Sequence, residues 1–166
     1  MVRLLLLCHG NICRSPLAAA LIRAAVDADP LLAGRVQVAS AGTSDEHRGE
    51  GMHAESARIL QARGLRTDHR AQRLTSGLAT AQDLILAADR FNIRAAEQLL
   101  GAAAVQRKVK LLRDFDPTAV GRDLDDPWGF PSDAYERAAR EIDAAIPGLL
   151  ADLHGRIGTA TEPQER

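Results

Sequence analysis

Residues 2–7 read Val-Arg-Leu-Leu-Leu-Leu, and this apolar run stops at Cys8-His9-Gly10. It is short, and its apolar residues fall on both faces, so it reads as a parallel strand buried on both sides. Arg3 ahead of the leucines invites comparison with a signal peptide. The run, however, falls short of the roughly 7–15 residues of an h-region and has no small-residue cleavage site, so a cytoplasmic location is expected. A strand covered on both faces needs helices above and below it.

The following sequence supplies them. Ser15-Pro16 reads as a helix start, with Ser as N-cap and Pro at the first helical position. Leu17, Leu21, Ala24 and Ala25 form its apolar stripe, and Asp29-Pro30 ends it. Val36 to Ala39 alternates as a strand and opens into a polar loop from Ser40 to Gly51. A helix is expected from Met52 to Arg63, with Gly64 and Leu65 forming a Schellman ending. Leu84 to Ala88 reads as a third strand. Ile93, Ala96, Leu99 and Leu100 mark a helix that Gly101 stops, and Val109 to Leu112 reads as a fourth strand. A loop from Arg113 to Pro131 holds two Asp-Pro pairs. From Ser132 to Leu153 a long amphipathic helix follows, with Pro147 as a point of kinking or splitting.

Strand and helix thus alternate four times. The expected fold is α/β: a single domain, residues 1–154, with a four-stranded parallel sheet, right-handed crossovers and helices on both faces. Residues 155–166 are polar and aperiodic and read as a frayed tail. In such a sheet the site lies beyond the carboxyl ends of the strands. Composition agrees with a globular chain: of 166 residues 46% are apolar and 26% charged, and the formal net charge is −1. That balance offers no general footprint for nucleic acid or an anionic membrane. Two cysteines, Cys8 and Cys13, make neither a disulfide scaffold nor a zinc ribbon.

Cys8-His9-Gly10-Asn11-Ile12-Cys13-Arg14-Ser15 joins the first strand to the first helix. Successive backbone N–H groups in such a loop can converge on one point, and the helix dipole adds positive potential there. Gly10 and Asn11 are residue types that tolerate left-handed backbone, which a tight nest of amides needs. Arg14 offers a planar fork matched to two phosphate oxygens. Cys8, at the floor of this anion hole, is expected as a thiolate nucleophile poised for phosphoryl transfer. Competing readings are a small core cysteine at a strand end and a metal site from Cys8, His9 and Cys13. The metal reading lacks a downstream ligand pair.

The segment from Cys8 to Pro16 resembles the phosphate-binding loop of the low-molecular-weight protein tyrosine phosphatases, and the resemblance extends from about Val2 to Leu153. Ser40-Ala41-Gly42-Thr43-Ser44, His69-Arg70-Ala71, Leu86-Ala87-Ala88-Asp89 with Asn92, and Asp126-Pro127-Trp128 are similar to further segments of that family. The resemblance implies phosphomonoester hydrolysis through a phosphocysteine, without a cofactor or metal. It implies catalytic roles for Cys8 as nucleophile, Arg14 on the equatorial oxygens and Asp126 as general acid, with Asp125 and Asp116 as rivals. His9, Gly10, Asn11, Ile12, Cys13, Ser15 and Trp128 would bind substrate. Ser15 would donate to the Cys8 thiolate, cap the helix, or both. Asn11 would order the loop, and His69 would be structural. Asp89 would cap a helix or bond loop donors. Cys13 would be a packing residue or would trap oxidised Cys8 as a disulfide.

Around the slot this chain departs from the family pattern. Glu46 stands about where the family carries an aromatic residue. Gly51-Met52-His53 replaces its prolines and Asp, and Trp128 is followed by Gly129 rather than a second aromatic. The implied partner is a phosphorylated protein or a small phosphomonoester, with no nucleic acid or membrane, and nothing in the pattern specifies an oligomeric state. Arsenate reduction is the alternative within this fold, but thioredoxin-coupled relatives use further downstream cysteines and none follows Cys13.

Overall fold

The computed structural model describes residues 1–159. A central strand β1 (Val2–Cys8) pairs in parallel with β2 (Val36–Gly42) on one side and β3 (Leu84–Ala87) on the other, and β4 (Val109–Leu111) lies outside β3. The four-stranded order is β2-β1-β3-β4. The apolar run of β1 is explained by its two covered faces. Leu4, Leu6 and Cys8 share one core with Leu17, Ile22, Leu60, Ile142 and Leu149. Leu5 and Leu7 point the other way, into a core with Ala79, Ile85, Ala96 and Val105. The chain runs from β1 to β2 on one side and later returns to β3 on the other. The loop after β1 therefore sits where the strand order reverses, the place at which such sheets leave a crevice.

Helix α1 (Arg14–Ala28) begins earlier than the Ser-Pro pair suggests. Cys13 is its N-cap and makes no side-chain cap bond. Pro16 is the third helical residue, still within the first turn where an N–H has no intrahelical partner. Ser15 is therefore not the cap, and its hydroxyl is available for other bonds. Its buried face includes Leu17, Leu21, Ile22 and Val26, while Ala24 and Ala25 are only half-buried. Helix α2 (Ala54–Ala62) starts two residues later than expected, with the His53 ring accepting from the Glu55 amide. It ends as the Schellman pattern requires: Gly64 has φ +70° and the Leu65 amide donates to the Leu60 carbonyl at 2.9 Å.

Two short helices have no counterpart in the sequence reading, α3 (Ser76–Thr80) and α5 (Ala102–Lys108). The Lys108 ammonium binds the carbonyls of Ala79, Thr80 and Gln82, the favourable place for a cation at a helix carboxyl end. Between them, α4 (Arg90–Leu100) starts with a full capping box of Asp89 and Asn92. The 3-10 turn Leu112–Phe115 follows β4, where a loop was expected.

Helix α6 (Ser132–Thr159) is a single element despite Pro147. It also continues past the expected boundary at residue 154. Ile157 is buried in the main core, so residues 155–159 belong to the helix and not to a frayed tail. The remaining residues of that expected tail lie outside the described residues. Gly148 matters for packing, because a β-carbon there would run into the Phe115 carbonyl; α6 and the 3-10 turn approach backbone to side. Among the described residues no helix is long and apolar enough to cross a membrane.

Candidate active site

Cys8 ends β1 and is buried. The loop that follows is organised by its outward carbonyls. Those of Cys8 and His9 accept from the amides of Thr43 and Ser44, that of Ile12 from the His53 amide, and that of Cys13 from the Ser56 hydroxyl. The Asn11 carbonyl accepts from His69 Nε2 at 2.6 Å, so that nitrogen carries a proton and His69 braces the loop, as a structural histidine does. Burial lowers the His69 pKa, with Arg23 acting in the same direction and the bond to Asn11 opposing. By contrast, none of the amides from Gly10 to Cys13 donates to a backbone carbonyl among the described residues. Carbonyls out and amides in is the arrangement of an anion nest.

Asn11 holds this turn. It alone among the loop residues takes the left-handed conformation, φ 57°; Gly10 does not need it. Its buried side chain donates to Ser15 Oγ (2.8 Å) and Ser40 Oγ (3.0 Å) and accepts from the Gln72 amide (2.9 Å). Gly42 supports it from β2: a β-carbon there would stand 2.7 Å from the His9 carbonyl oxygen and 3.1 Å from Asn11 atoms. A β-carbon at Gly10 would come within 2.9 Å of the His47 ring, so the ring would have to shift. Ser15, freed from capping, places its Oγ 3.0 Å from Cys8 Sγ.

Arg14 is 3% exposed and firmly anchored. Its Nη1 donates to Asp89 Oδ2 at 2.7 Å and to the Leu124 carbonyl at 2.8 Å. The edge carrying Nη2 lies 3.8 Å from Asp126 Oδ2. Burial works against the guanidinium charge, but Cys8, Asp89 and Asp126 outweigh it and raise the pKa. Asp89 thus does both things allowed for it: it caps α4 and it fixes Arg14. Asp126 is half exposed and accepts from the Trp128 amide at 3.2 Å.

Cys8, His9, Gly10, Ile12, Cys13, Arg14, Asp126 and Trp128 line one cleft of about 220 Å³, and Glu46 and His47 complete it. Asn11 and Ser15 lie behind the loop rather than on the cleft. The rival carboxylates do not line this cleft. Asp116 is buried against Thr118, whose hydroxyl and amide hold its pKa below the usual range, and Asp125 lines a neighbouring hollow. Cys13 is a buried thiol 3.7 Å from the Tyr135 hydroxyl; burial pushes its pKa up to about 11, against the lowering effect of that bond. Tyr135 is raised as well, by burial and then by Cys13, and its ring stacks on His53 at 4.9 Å. Glu46, singled out at the position of the family's aromatic, does line the cleft. Two features were not singled out in the sequence: His47, and the Leu124 carbonyl, which has no side-chain identity to read.

The model of the low molecular weight phosphotyrosine protein phosphatase family matches residues 3–157. The chain belongs to this family. The low molecular weight protein-tyrosine-phosphatase of Streptomyces coelicolor is 37% identical over 93% of this chain and 95% of its own. Low molecular weight protein-tyrosine phosphatase A of Mycobacterium tuberculosis is 38% identical over 86% of this chain and 85% of its own. Among solved structures, YfkJ of Bacillus subtilis superimposes with a TM-score of 0.86 at 29% identity, covering 94% of this chain and 96% of that one. A protein tyrosine phosphatase of Entamoeba histolytica gives 0.85 at 25% identity, over 93% and 98%. As a low-molecular-weight phosphatase, the chain carries the four-stranded α/β fold and the cysteine-dependent apparatus expected of it, with Glu46 and His47 on the lip of its cleft.

Proposed function

We propose that this phosphatase hydrolyses phosphotyrosine through a phosphocysteine formed on Cys8. The observation that carries the reading is the opposition of groups in one cleft: Cys8 at the base of an amide nest, and Asp126 on the facing loop, 3.8 Å from Arg14 Nη2. The Cys8 thiolate attacks phosphorus. The amides and the free edge of Arg14 take up the charge that spreads over the equatorial oxygens. As the P–O bond breaks, Asp126 gives its proton to the departing phenolic oxygen. Water then attacks phosphocysteine, Asp126 takes a proton from it, and inorganic phosphate leaves with the Cys8 thiolate restored. Ser15 Oγ, 3.0 Å from Sγ, steadies that thiolate as leaving group.

Trp128 supports an aryl substrate, offering an apolar wall beside the acid, and Ile12 offers another at the base. Acid-quenched turnover of a phosphotyrosine peptide should give a protein 80 Da heavier (about one phosphoryl group), mapping to Cys8. Cys8→Ser should retain phosphate binding and lose turnover. Undiminished kcat in Cys8→Ser, or a phosphoryl group on another residue, would remove Cys8 as nucleophile.

A further inference from the structure

The segment that delivers Asp126 to the cleft contains no helix or strand, yet its backbone is held at consecutive residues. The Leu124 amide donates to the Ala88 carbonyl at 2.8 Å, continuing from β3. The Leu124 carbonyl accepts from Arg14. One residue earlier, the Asp123 carbonyl accepts from Arg113 Nη1 at 3.1 Å. Two guanidinium groups thus grip two successive carbonyls, two and three residues before Asp126. Arg14 belongs to the phosphate site. Arg113 does not line the cleft; it comes from the 3-10 turn after β4.

Arg113 is an expensive side chain to keep there. It is only 15% exposed, and Glu141 on α6 stands 3.5 Å from the same Nη1. Its Nε is buried with no hydrogen-bond partner among the described residues. A buried donor left unbonded carries a desolvation penalty, so packing stability is a poor account of an arginine at this position. Its directed contact to the acid segment is a better one.

We propose that Arg113 is a positioning residue for the general acid. By holding the Asp123 carbonyl it sets where Asp126 stands relative to Cys8 and Arg14, so that proton donation meets the departing oxygen. The inference rests on Asp126 being the acid, as read above. Without Arg113 the segment keeps its ties to Arg14 and Ala88, and the Asp123 carboxylate its bonds to Arg90, so phosphate binding persists while the unheld Asp123 carbonyl lets Asp126 drift from its position for transfer. A misplacement of about 1 Å is enough to cost a large factor in rate.

The test compares phenyl phosphate, whose leaving group needs a proton, with p-nitrophenyl phosphate, whose leaving group does not. For Arg113→Met the ratio of kcat/KM, phenyl over p-nitrophenyl, should fall about tenfold, less than the 10²–10⁴ that removal of the acid itself costs. The Ki for inorganic phosphate should stay within about twofold, since the nest and Arg14 remain. Arg113→Lys, which can still donate one bond to the Asp123 carbonyl, should recover most of the ratio. Because the readout is a ratio on one folded enzyme, loss of yield does not imitate it. An unchanged ratio in Arg113→Met, while Asp126→Asn shows a fall, overturns the inference alone. An unchanged ratio in Asp126→Asn overturns the assignment of the acid and this inference with it. Equal falls in Arg113→Met and Arg113→Lys would also count against a role for the hydrogen bond.

Discussion

Asp126 is separated from Asp125 by one position, but only Asp126 faces Arg14 across the cleft. Asp126→Asn should therefore slow tyrosyl and alkyl phosphates by about 10²–10⁴, or roughly 2.7–5.4 kcal/mol, and p-nitrophenyl phosphate far less. Asp125→Asn and Asp116→Asn should show no such dependence on the leaving group; a steady-state series of aryl phosphates decides. Arg14→Lys should fail with every ester, because Nη1 is already committed to Asp89 and Leu124 and a single ammonium cannot serve that anchor and the phosphate together. Parent-like kcat/KM in that variant would free Arg14 from the role. The Cys13 thiol, raised to about 11, is protonated at neutral pH. Mild peroxide should convert Cys8 to the sulfenic acid, and Cys13 should then displace water from it to close a disulfide. Because only the Cys13 thiolate attacks, closure should quicken about tenfold per pH unit between pH 7 and 9. In Cys13→Ala, where the sulfenic acid has no thiol to close on, continued peroxide should carry Cys8 on to the sulfinic acid, which dithiothreitol does not reverse. Full recovery in Cys13→Ala, or closure independent of pH, would refute the resolving role.

At the scale of elements, close approach of α6 to the 3-10 turn predicts a sharp contrast between two glycines of one helix. Gly148→Ala forces a methyl group against the Phe115 carbonyl and should cost about 1–3 kcal/mol. Gly155→Ala meets nothing within 4 Å and should stabilise by up to about 1 kcal/mol. Urea midpoints compare them directly, and equal shifts would disprove the contact. The same helix shows where reading by pattern stops. Its apolar face from Tyr135 to Leu153 was plain, but the low polarity contrast after Leu153 hid the helical residues 154–159. Strands β1 and β3 were legible as compact apolar runs and β2 by its alternation, although β2 runs on to Gly42 where a loop was expected; the loop was legible because Cys8, Gly10, Asn11 and Arg14 fall together between a strand and a helix. Helices α3 and α5, five and seven residues long, are too short to display a 3.6-residue period. Ser15 was misread as a cap because a Ser-Pro pair marks the first turn without marking which residue begins it. The anchors of Arg14 were invisible for another reason: Asp89 and Leu124 lie 75 and 110 residues away, and no local spacing encodes such a pair.

At the scale of the molecule, His69 ties the segment after α2 to the phosphate loop, and its pKa is lowered from 6.5. Above pH 6.5 it is neutral in folded and unfolded chains alike and contributes no pH dependence. As pH falls below that value, the unfolded chain takes up a proton that the folded chain refuses, so stability declines until the folded state protonates too. His69→Gln should lose less stability than the parent between pH 7.5 and 5.5, measured by urea unfolding; parallel losses would exclude His69. The long reach of Arg14 has a consequence during synthesis. In order of synthesis Arg14 precedes the two acceptors that seat it, Asp89 and Leu124, by 75 and 110 residues. At about 5–20 residues per second, that leaves the nascent chain on the order of ten seconds with a cysteine and no finished anion site. The anion site around Cys8 is therefore finished by residues made much later than its loop, and a product terminated before Leu124 carries the cysteine without a fully seated arginine.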